Sequence, residues 1–259
     1  MRFIDQFSVL LLDMNGTFMF GEDRFGPGED FDRTYRALGG RRLAADQVTR
    51  TIRSCCAGLL RDYEDATKQD DFPSLAEALR EYGRAADEDI ALLARVFSTH
   101  ELGQVPAPHA AFLRRVSNTH RLGVVSNICA SPAFCATAFA AAGIESLFAC
   151  AVFSSAGRSI KPSPVMFRRA LAMFPEGERV AFAGDSLERD IHPARALGMG
   201  TVWIAPPASS ALEADRVVGS LLELERVTAS QPVVHVGRRT ETGEAPRRQG
   251  ATTEQTGSM

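Results

Sequence analysis

The sequence specifies an α/β architecture, a doubly wound parallel sheet of about five strands with a helical domain inserted after the first. Three patterns lead to it. Short apolar runs without polar alternation (Val9–Leu12, Leu122–Val125, Phe148–Phe153, Val180–Ala183 and Thr201–Ile204) read as strands buried on both faces, as in a central parallel sheet. From Pro106 onward these runs alternate with helical segments of about ten residues, as crossover connections require. Between the first run and the second, residues 30–99 carry helical periodicity and no strand pattern.

The first run sets the frame. In FSVLLLDMNGTF, Phe7 to Phe18, it stops abruptly at Asp13, with Gly16 and Thr17 close behind. A carboxylate just past a buried strand lies at the carboxyl end of the sheet, where open α/β folds place ligands. Gly16 permits a turn tight enough for amides to point back at whatever Asp13 faces. Taken alone, the same residues also read as a strand closed by an Asx turn. The stretch MFGEDRFGPGED after Phe18 is rich in glycine and acids and reads as a turn or hairpin. Helices follow over Phe31–Leu38, Ala45–Leu60, Ser74–Tyr82 and Asp87–Phe97, punctuated by Gly39-Gly40, Asp70-Asp71 and Gly83, with Ser74 and Glu77 spaced as a capping box. Further helices are expected over Ala107–Thr119, Ala133–Ala142, Pro164–Phe174 and Glu188–Leu197, and a last one over Ala211–Leu224 closes the domain. The resulting division is a core of residues 1–20 and 103–227, a helical insert over 21–102, and a polar C-terminal tail, 228–259, that reads as disordered.

Composition narrows the function. At 259 residues the chain can bury a sizeable core. A formal net charge of −3 leaves no basic footprint for nucleic acid, so an anionic substrate needs a local positive site. No run approaches the roughly 20 apolar residues of a membrane span, and the first run is too short and too soon interrupted for a signal peptide. Cys55, Cys56, Cys129, Cys135 and Cys150 show neither C-x-x-C spacing nor a histidine-paired metal pattern, which suits buried thiols in a reducing cytoplasm. Of 29 basic residues only Lys68 and Lys161 are lysines, which singles out both.

Strand ends and adjoining loops carry the chemistry: Asp13, then Ser126 with Asn127, then Lys161, then Asp185 with Asp190. A parallel sheet gathers them on one edge. Together they offer carboxylates for a hard cation, a hydroxyl donor, a fixed positive charge and a candidate nucleophile. Mg²⁺ sites use one or two carboxylates with carbonyls, waters and phosphate oxygens. Phosphoryl transfer needs that inventory, because its catalysis is mainly positioning and charge stabilisation.

With these residues in this order the chain resembles the haloacid dehalogenase (HAD) superfamily, subfamily I with a helical C1 cap. DMNGT at Asp13–Thr17 is similar to the family's nucleophile motif, VVSN ending in Ser126-Asn127 to the second motif, and Lys161 before Pro162 to the third. GDSLERD, holding Asp185 and Asp190, is similar to the acidic fourth motif. One DxxGT is a weak signal; four ordered motifs at strand ends are a specific one. The resemblance implies a Rossmann-like core and a phosphatase-type hydrolase of small phosphorylated metabolites. Asp13 would form an aspartyl-phosphate. Asp13, Asp185 and the Asn15 carbonyl would hold Mg²⁺, with Asp190 holding a metal-bound water or orienting Lys161. Ser126, Asn127 and Lys161 would bind the phosphoryl group, joined by amides of the Met14–Thr17 turn, Gly16 and Thr17 included.

The departure lies at Asn15. Family phosphatases carry a second aspartate there for acid–base work, and an asparagine has no proton to trade. Its carbonyl is unchanged, so the metal site survives while turnover is slowed, confined to good leaving groups, or lost. Two other readings follow: a non-catalytic phosphate- or metabolite-binding protein, and a metal-independent 2-haloacid dehalogenase, against which the retention of Asp185 and Asp190 argues. Lys68, beside Asp70-Asp71, reads as a solvated charge, with a Schiff-base lysine as the sharper alternative. His100 and His192 have no partner pattern and read as surface or helix-end residues, and Cys55-Cys56 as packed inside the insert.

Overall fold

The computed structural model describes residues 1–206 and 213–228. Six strands form one sheet: β1 (Val9–Leu12), β2 (Arg121–Ser126), β3 (Phe148–Phe153), β4 (Val180–Gly184), β5 (Gly200–Ile204) and β6 (Arg216–Val218). All pairs are parallel, in the order β3-β2-β1-β4-β5-β6. The order reverses at β1, which makes the sheet doubly wound and opens a crevice at the carboxyl ends of β1 and β4. Every residue of β1 is buried because period-two alternation splits it between two helical layers. Leu10 and Leu12 pack toward α5 (Ala107–Val116) and α6 (Pro132–Ala141), whereas Val9 and Leu11 pack toward α7 (Pro164–Leu171) and α8 (His192–Ala196).

The five expected strands are present, and β6 is an addition. It replaces the helix expected over Ala211–Leu224, whose spacing of Val217, Val218, Leu221 and Leu224 fits a helix but whose polar residues do not. The Asp215 carboxylate accepts from the Thr201 amide (2.8 Å) and hydroxyl (3.1 Å), and the Asp215 amide donates to the Thr201 hydroxyl at 3.0 Å. This clasp starts β6 alongside β5, and two β-branched valines continue it. Leu221–Glu225 forms only a short 3₁₀ turn. Residues 211 and 212 of that expected helix, and the tail from 229 onward, lie outside the described residues.

The insert contains α1 (Phe31–Ala37), α2 (Ala45–Glu64), α3 (Leu75–Glu81) and α4 (Asp87–Glu101). They enclose their own apolar cluster, built on Phe31, Tyr35, Ile52, Leu79, Leu93 and Val96. The capping box forms, with the Ser74 amide donating to the Glu77 carboxylate at 2.8 Å and the Glu77 amide to the Ser74 hydroxyl at 3.3 Å. The stretch after Phe18 makes no hairpin of its own. It runs antiparallel to the outgoing linker: Phe20 and Gln104 exchange backbone bonds of 2.9 and 2.8 Å, and the Asp23 amide reaches the Glu101 carbonyl at 3.1 Å. His100 is the helix-end residue expected, in the last turn of α4, but it does not lie at the surface. It is buried, with Nδ1 3.1 Å from a Glu29 carboxylate oxygen and Nε2 2.9 Å from the Thr34 hydroxyl. His192 is exposed, as expected, but faces the Glu213 carboxylate at 3.1 Å. Among the described residues no helix is long and apolar enough to cross a membrane.

Candidate active site

Asp13 extends the register of β1, its amide donating to the Ala183 carbonyl at 2.9 Å. The chain then turns on one acceptor: the Met14 carbonyl takes the amides of Thr17, Phe18 and Met19 within 3.0–3.3 Å. Gly16 sits at φ 70°, and a Cβ there would collide with the Asp185 carboxylate. Glycine is needed twice over, for the left-handed backbone and for the close approach. Gly184 does the same for Asp190, whose carboxylate occupies the space a side chain would fill. The helix expected from Glu188 begins instead as a wide π-type turn, Leu187–Ile191, in which the Ser186 carbonyl accepts from both Asp190 and Ile191. Such turns recur at functional sites. This one brings the Asp190 carboxylate back to the Ser186 amide at 3.0 Å and onto Lys161.

Lys161 is the hub. Its Nζ donates to Asp13 Oδ1 at 2.7 Å and to Asp190 Oδ1 at 2.6 Å, with Lys161 only 3% exposed and Asp190 1%. Burial alone would lower the lysine pKa, but the two carboxylates outweigh it and hold the ammonium charged. Burial raises the Asp190 carboxyl against the pull of Lys161, with Asp13 adding to the rise. Asp185, at the open rim, is raised by burial and by the neighbouring Asp13 charge. One ligand oxygen from each of Asp13, Asp185 and Asp190 lies within 4.8 Å of the others. Three carboxylates facing one lysine leave negative charge in excess, and the glycines let two of them pack directly against the backbone at this edge. This donor set, all oxygen and part-exposed, fits Mg²⁺. No backbone amide among the described residues bonds to the Asn15 carbonyl, which leaves it available to the same site.

Ser126 ends β2 beside β1 and is buried. Asn127 is engaged at both ends of its amide: its oxygen accepts from the Lys161 backbone at 2.7 Å, and its nitrogen donates to the Lys161 carbonyl and the Tyr63 hydroxyl at 3.1 Å each. It therefore positions Lys161. Asn15 and Thr17 lie in the turn after Asp13, with Asn15 Oδ1 and the Thr17 hydroxyl buried and unpartnered.

Several contributors escaped the sequence reading. Asp70-Asp71, read as punctuation, anchor the loop that carries Lys161. The Ser163 hydroxyl donates to Asp70 at 2.5 Å, Arg158 pairs with Asp71 at 2.7 Å, and the Phe72 and Ile160 amides close two backbone bonds between the segments, at 2.7 and 2.8 Å. Lys68 sits in a turn beside Asp65. The Arg189 guanidinium stacks 3.7 Å over the Tyr63 ring, joining the fourth motif to α2. No spacing rule would have paired these residues.

A cavity of about 270 Å³ lies between insert and core, reached by Asn15 and Asn127 and walled by Leu59, Phe72 and Phe97. Cys56, expected inside the insert, lines it, while Cys55 is buried in the insert's core. Glu101 lines it too. It is buried, and its two oxygens accept the Cys129 and Ala130 amides at 2.7 Å each. Burial nonetheless pushes its pKa up to about 7. The fold therefore favours neutral Glu101, and this contribution to stability is lost as pH rises from the unfolded value near 4.5 to about 7. The unfolding free energy of Glu101→Gln relative to the parent should thus improve by about 3 kcal/mol from pH 4.5 to 7.5. Denaturant titrations at both pH values check this; a difference that does not change with pH contradicts it.

The chain matches the family model for haloacid dehalogenase-like hydrolases over residues 7–198. No curated protein matches it. Among solved structures it is similar to a HAD phosphatase from Thermococcus onnurineus (22% identity, TM-score 0.55, 84% of this chain and 96% of that one). It is also similar to a 2-haloacid dehalogenase from Pseudomonas syringae pv. Tomato DC3000 (21%, TM-score 0.56, 85% and 96%). A third is the HAD-hydrolase YfnB from Bacillus subtilis, solved with magnesium (19%, TM-score 0.53, 84% and 96%). At these identities the structures speak for the fold, and the family match over most of the chain speaks for the lineage: the protein belongs to the haloacid dehalogenase-like hydrolases.

Proposed function

We propose that the protein is a Mg²⁺-dependent phosphohydrolase of small phosphorylated metabolites. The observation that carries this reading is the meeting of three carboxylates, Asp13, Asp185 and Asp190, with one buried lysine at the switch point of the sheet. Asp13, Asp185 and the Asn15 carbonyl would hold the ion, with Asp190 behind them. When bound, Mg²⁺ supplies the positive charge that lets an anionic phosphate approach a carboxylate. Lys161 engages Asp13 Oδ1, so Oδ2 is the oxygen left to attack phosphorus. As the Asp13–phosphorus bond forms, the bond to the leaving oxygen breaks, and water then hydrolyses the aspartyl-phosphate. Asn15 has no proton to give the departing oxygen, which favours leaving groups that depart as stable anions.

The dehalogenase alternative places carbon where phosphorus sits here. It would need a cation for the substrate carboxylate, and among the described residues none lines the cavity. The protein with Mg²⁺ should release phosphate from 4-nitrophenyl phosphate and acetyl phosphate. EDTA should abolish this, and Asp13→Ala should lower kcat by at least about 10⁴-fold. Metal-independent halide release from 2-chloropropionate, with no phosphate release from either phosphate compound, would reverse the assignment.

A further inference from the structure

The cavity has a composition that the phosphohydrolase reading does not account for. Its walls are apolar and aromatic, yet it holds two carboxylates, Asp23 and Glu101, and among the described residues no lysine, arginine or histidine lines it. Glu101 is buried and fixed by two backbone amides, which take two of the roughly four acceptor positions of a carboxylate. The Asp23 carboxyl makes no hydrogen bond or ion pair among the described residues, although its backbone is held at φ 53° and locked to the Glu101 carbonyl. Asp23 is exposed at the rim of the cavity, yet the protein packed around it pushes its pKa up to about 6, with Glu22 adding to the effect. One acid at the rim and one inside, with no cation beside them, give an ammonium group two charge-assisted acceptors against an apolar wall. The volume, about 270 Å³, equals about nine waters at ~30 Å³ each, enough for one aromatic ring with a short side arm.

We propose that this cavity receives the leaving group of the substrate and selects one that carries an ammonium group on an apolar, ring-sized frame, with Asp23 and Glu101 as its recognition pair. The substrate class is thus an amine-bearing phosphate ester. This rests on the phosphohydrolase reading, because Asn15 and Asn127 join the cavity to the Asp13 turn and to Lys161. Anionic leaving groups meet two carboxyl groups and no cation there, and polyols meet a wall of Leu59, Phe72 and Phe97 that offers no partners.

Three esters on one ring test it: 4-(aminomethyl)phenyl, 4-methylphenyl and 4-carboxyphenyl phosphate, assayed with Mg²⁺. The ammonium ester should exceed the methyl ester in kcat/KM by about 10- to 100-fold, the range of one or two charge-assisted hydrogen bonds, with the carboxylate ester slowest. Asp23→Asn should pull the ammonium-to-methyl ratio toward one. Glu101→Gln should do the same, but Glu101 also ties insert to core, so Asp23→Asn carries the test if that variant does not fold. In parallel, calorimetry compares binding of 4-(aminomethyl)phenol and 4-methylphenol, which needs no turnover. Hydrolysis without preference for the ammonium ester overturns the selection and leaves the phosphohydrolase standing. Absent hydrolysis with tighter amine binding that Asp23→Asn removes upholds the pocket and overturns the phosphohydrolase. Absent hydrolysis without amine preference overturns both.

Discussion

Lys161→Met should destabilise the metal-free protein by about 3–5 kcal/mol, the cost of stripping one partner from a buried ion pair. The side chain is 3% exposed and bonds two carboxylates, so the variant leaves Asp13 and Asp190 uncompensated where little solvent reaches them, with Asp185 adjacent. Lost packing of the lysine stem is small because methionine follows the same path. A charge origin has a signature that a packing origin lacks. In Lys161→Met/Asp190→Asn one of the stranded charges is gone, so the double variant should lose less than the sum of the two single changes, by 1 kcal/mol or more on the order expected for contacting groups. Mg²⁺ gives the second signature. A cation that binds the folded state alone raises stability by mass action, and it should raise the melting temperature of Lys161→Met more than that of the parent, because the variant offers one more unneutralised carboxylate. A loss below about 1 kcal/mol, additive with Asp190→Asn, would show that the ammonium is not the counter-charge of the site.

That hub was legible in the sequence for a physical reason. Buried parallel strands read as uninterrupted apolar runs, so each polar residue that ends one marks the same edge of the sheet. Asp13, Ser126 and Asp185 were therefore placed by their strands. Lys161, in a loop, was placed by its rarity and by the family motif. What failed was decided by contacts between distant segments. Arg216–Val218 is a strand because Asp215 clasps Thr201 on β5, and the apolar spacing around it fits a helix equally well. His100 is buried because Glu29 and Thr34 reach it from the other end of the insert. Asp70 looks like a loop acid until Ser163 is set against it. Glu101, in the last turn of a helix, gives no sign in the sequence that two amides from the loop after β2 will meet it. Periodicity reports which face is apolar; it carries no information on which polar partners tertiary folding will bring.

Asn15→Asp should raise kcat/KM for alkyl phosphates by about 10²- to 10⁴-fold, the usual worth of one positioned general acid or base. The position is suited to the change. The Asn15 side-chain oxygen is buried and unpartnered, and it borders the cavity that would take the leaving group. A carboxyl there would sit near Asp13 and Asp185, whose charges raise its pKa and favour the protonated form that an acid needs. The gain should depend on the leaving group. An aryl phosphate departs as a stable anion and needs little help in the first step, whereas hydrolysis of the aspartyl-phosphate still lacks a base. The native protein should therefore release a rapid burst of nitrophenol, on the order of one equivalent per site, before a slow steady state, and Asn15→Asp should speed the steady state until the burst disappears. Stopped-flow on 4-nitrophenyl phosphate, with a parallel assay on an alkyl phosphate, reads both effects. If the variant gains less than about threefold on the alkyl ester and the burst persists, proton transfer at this position is not the limit. If native and variant are both inert while Mg²⁺ and inorganic phosphate still bind, the retained carboxylates and Lys161 serve recognition, and Asn15 marks a hydrolase fold turned to holding its ligand.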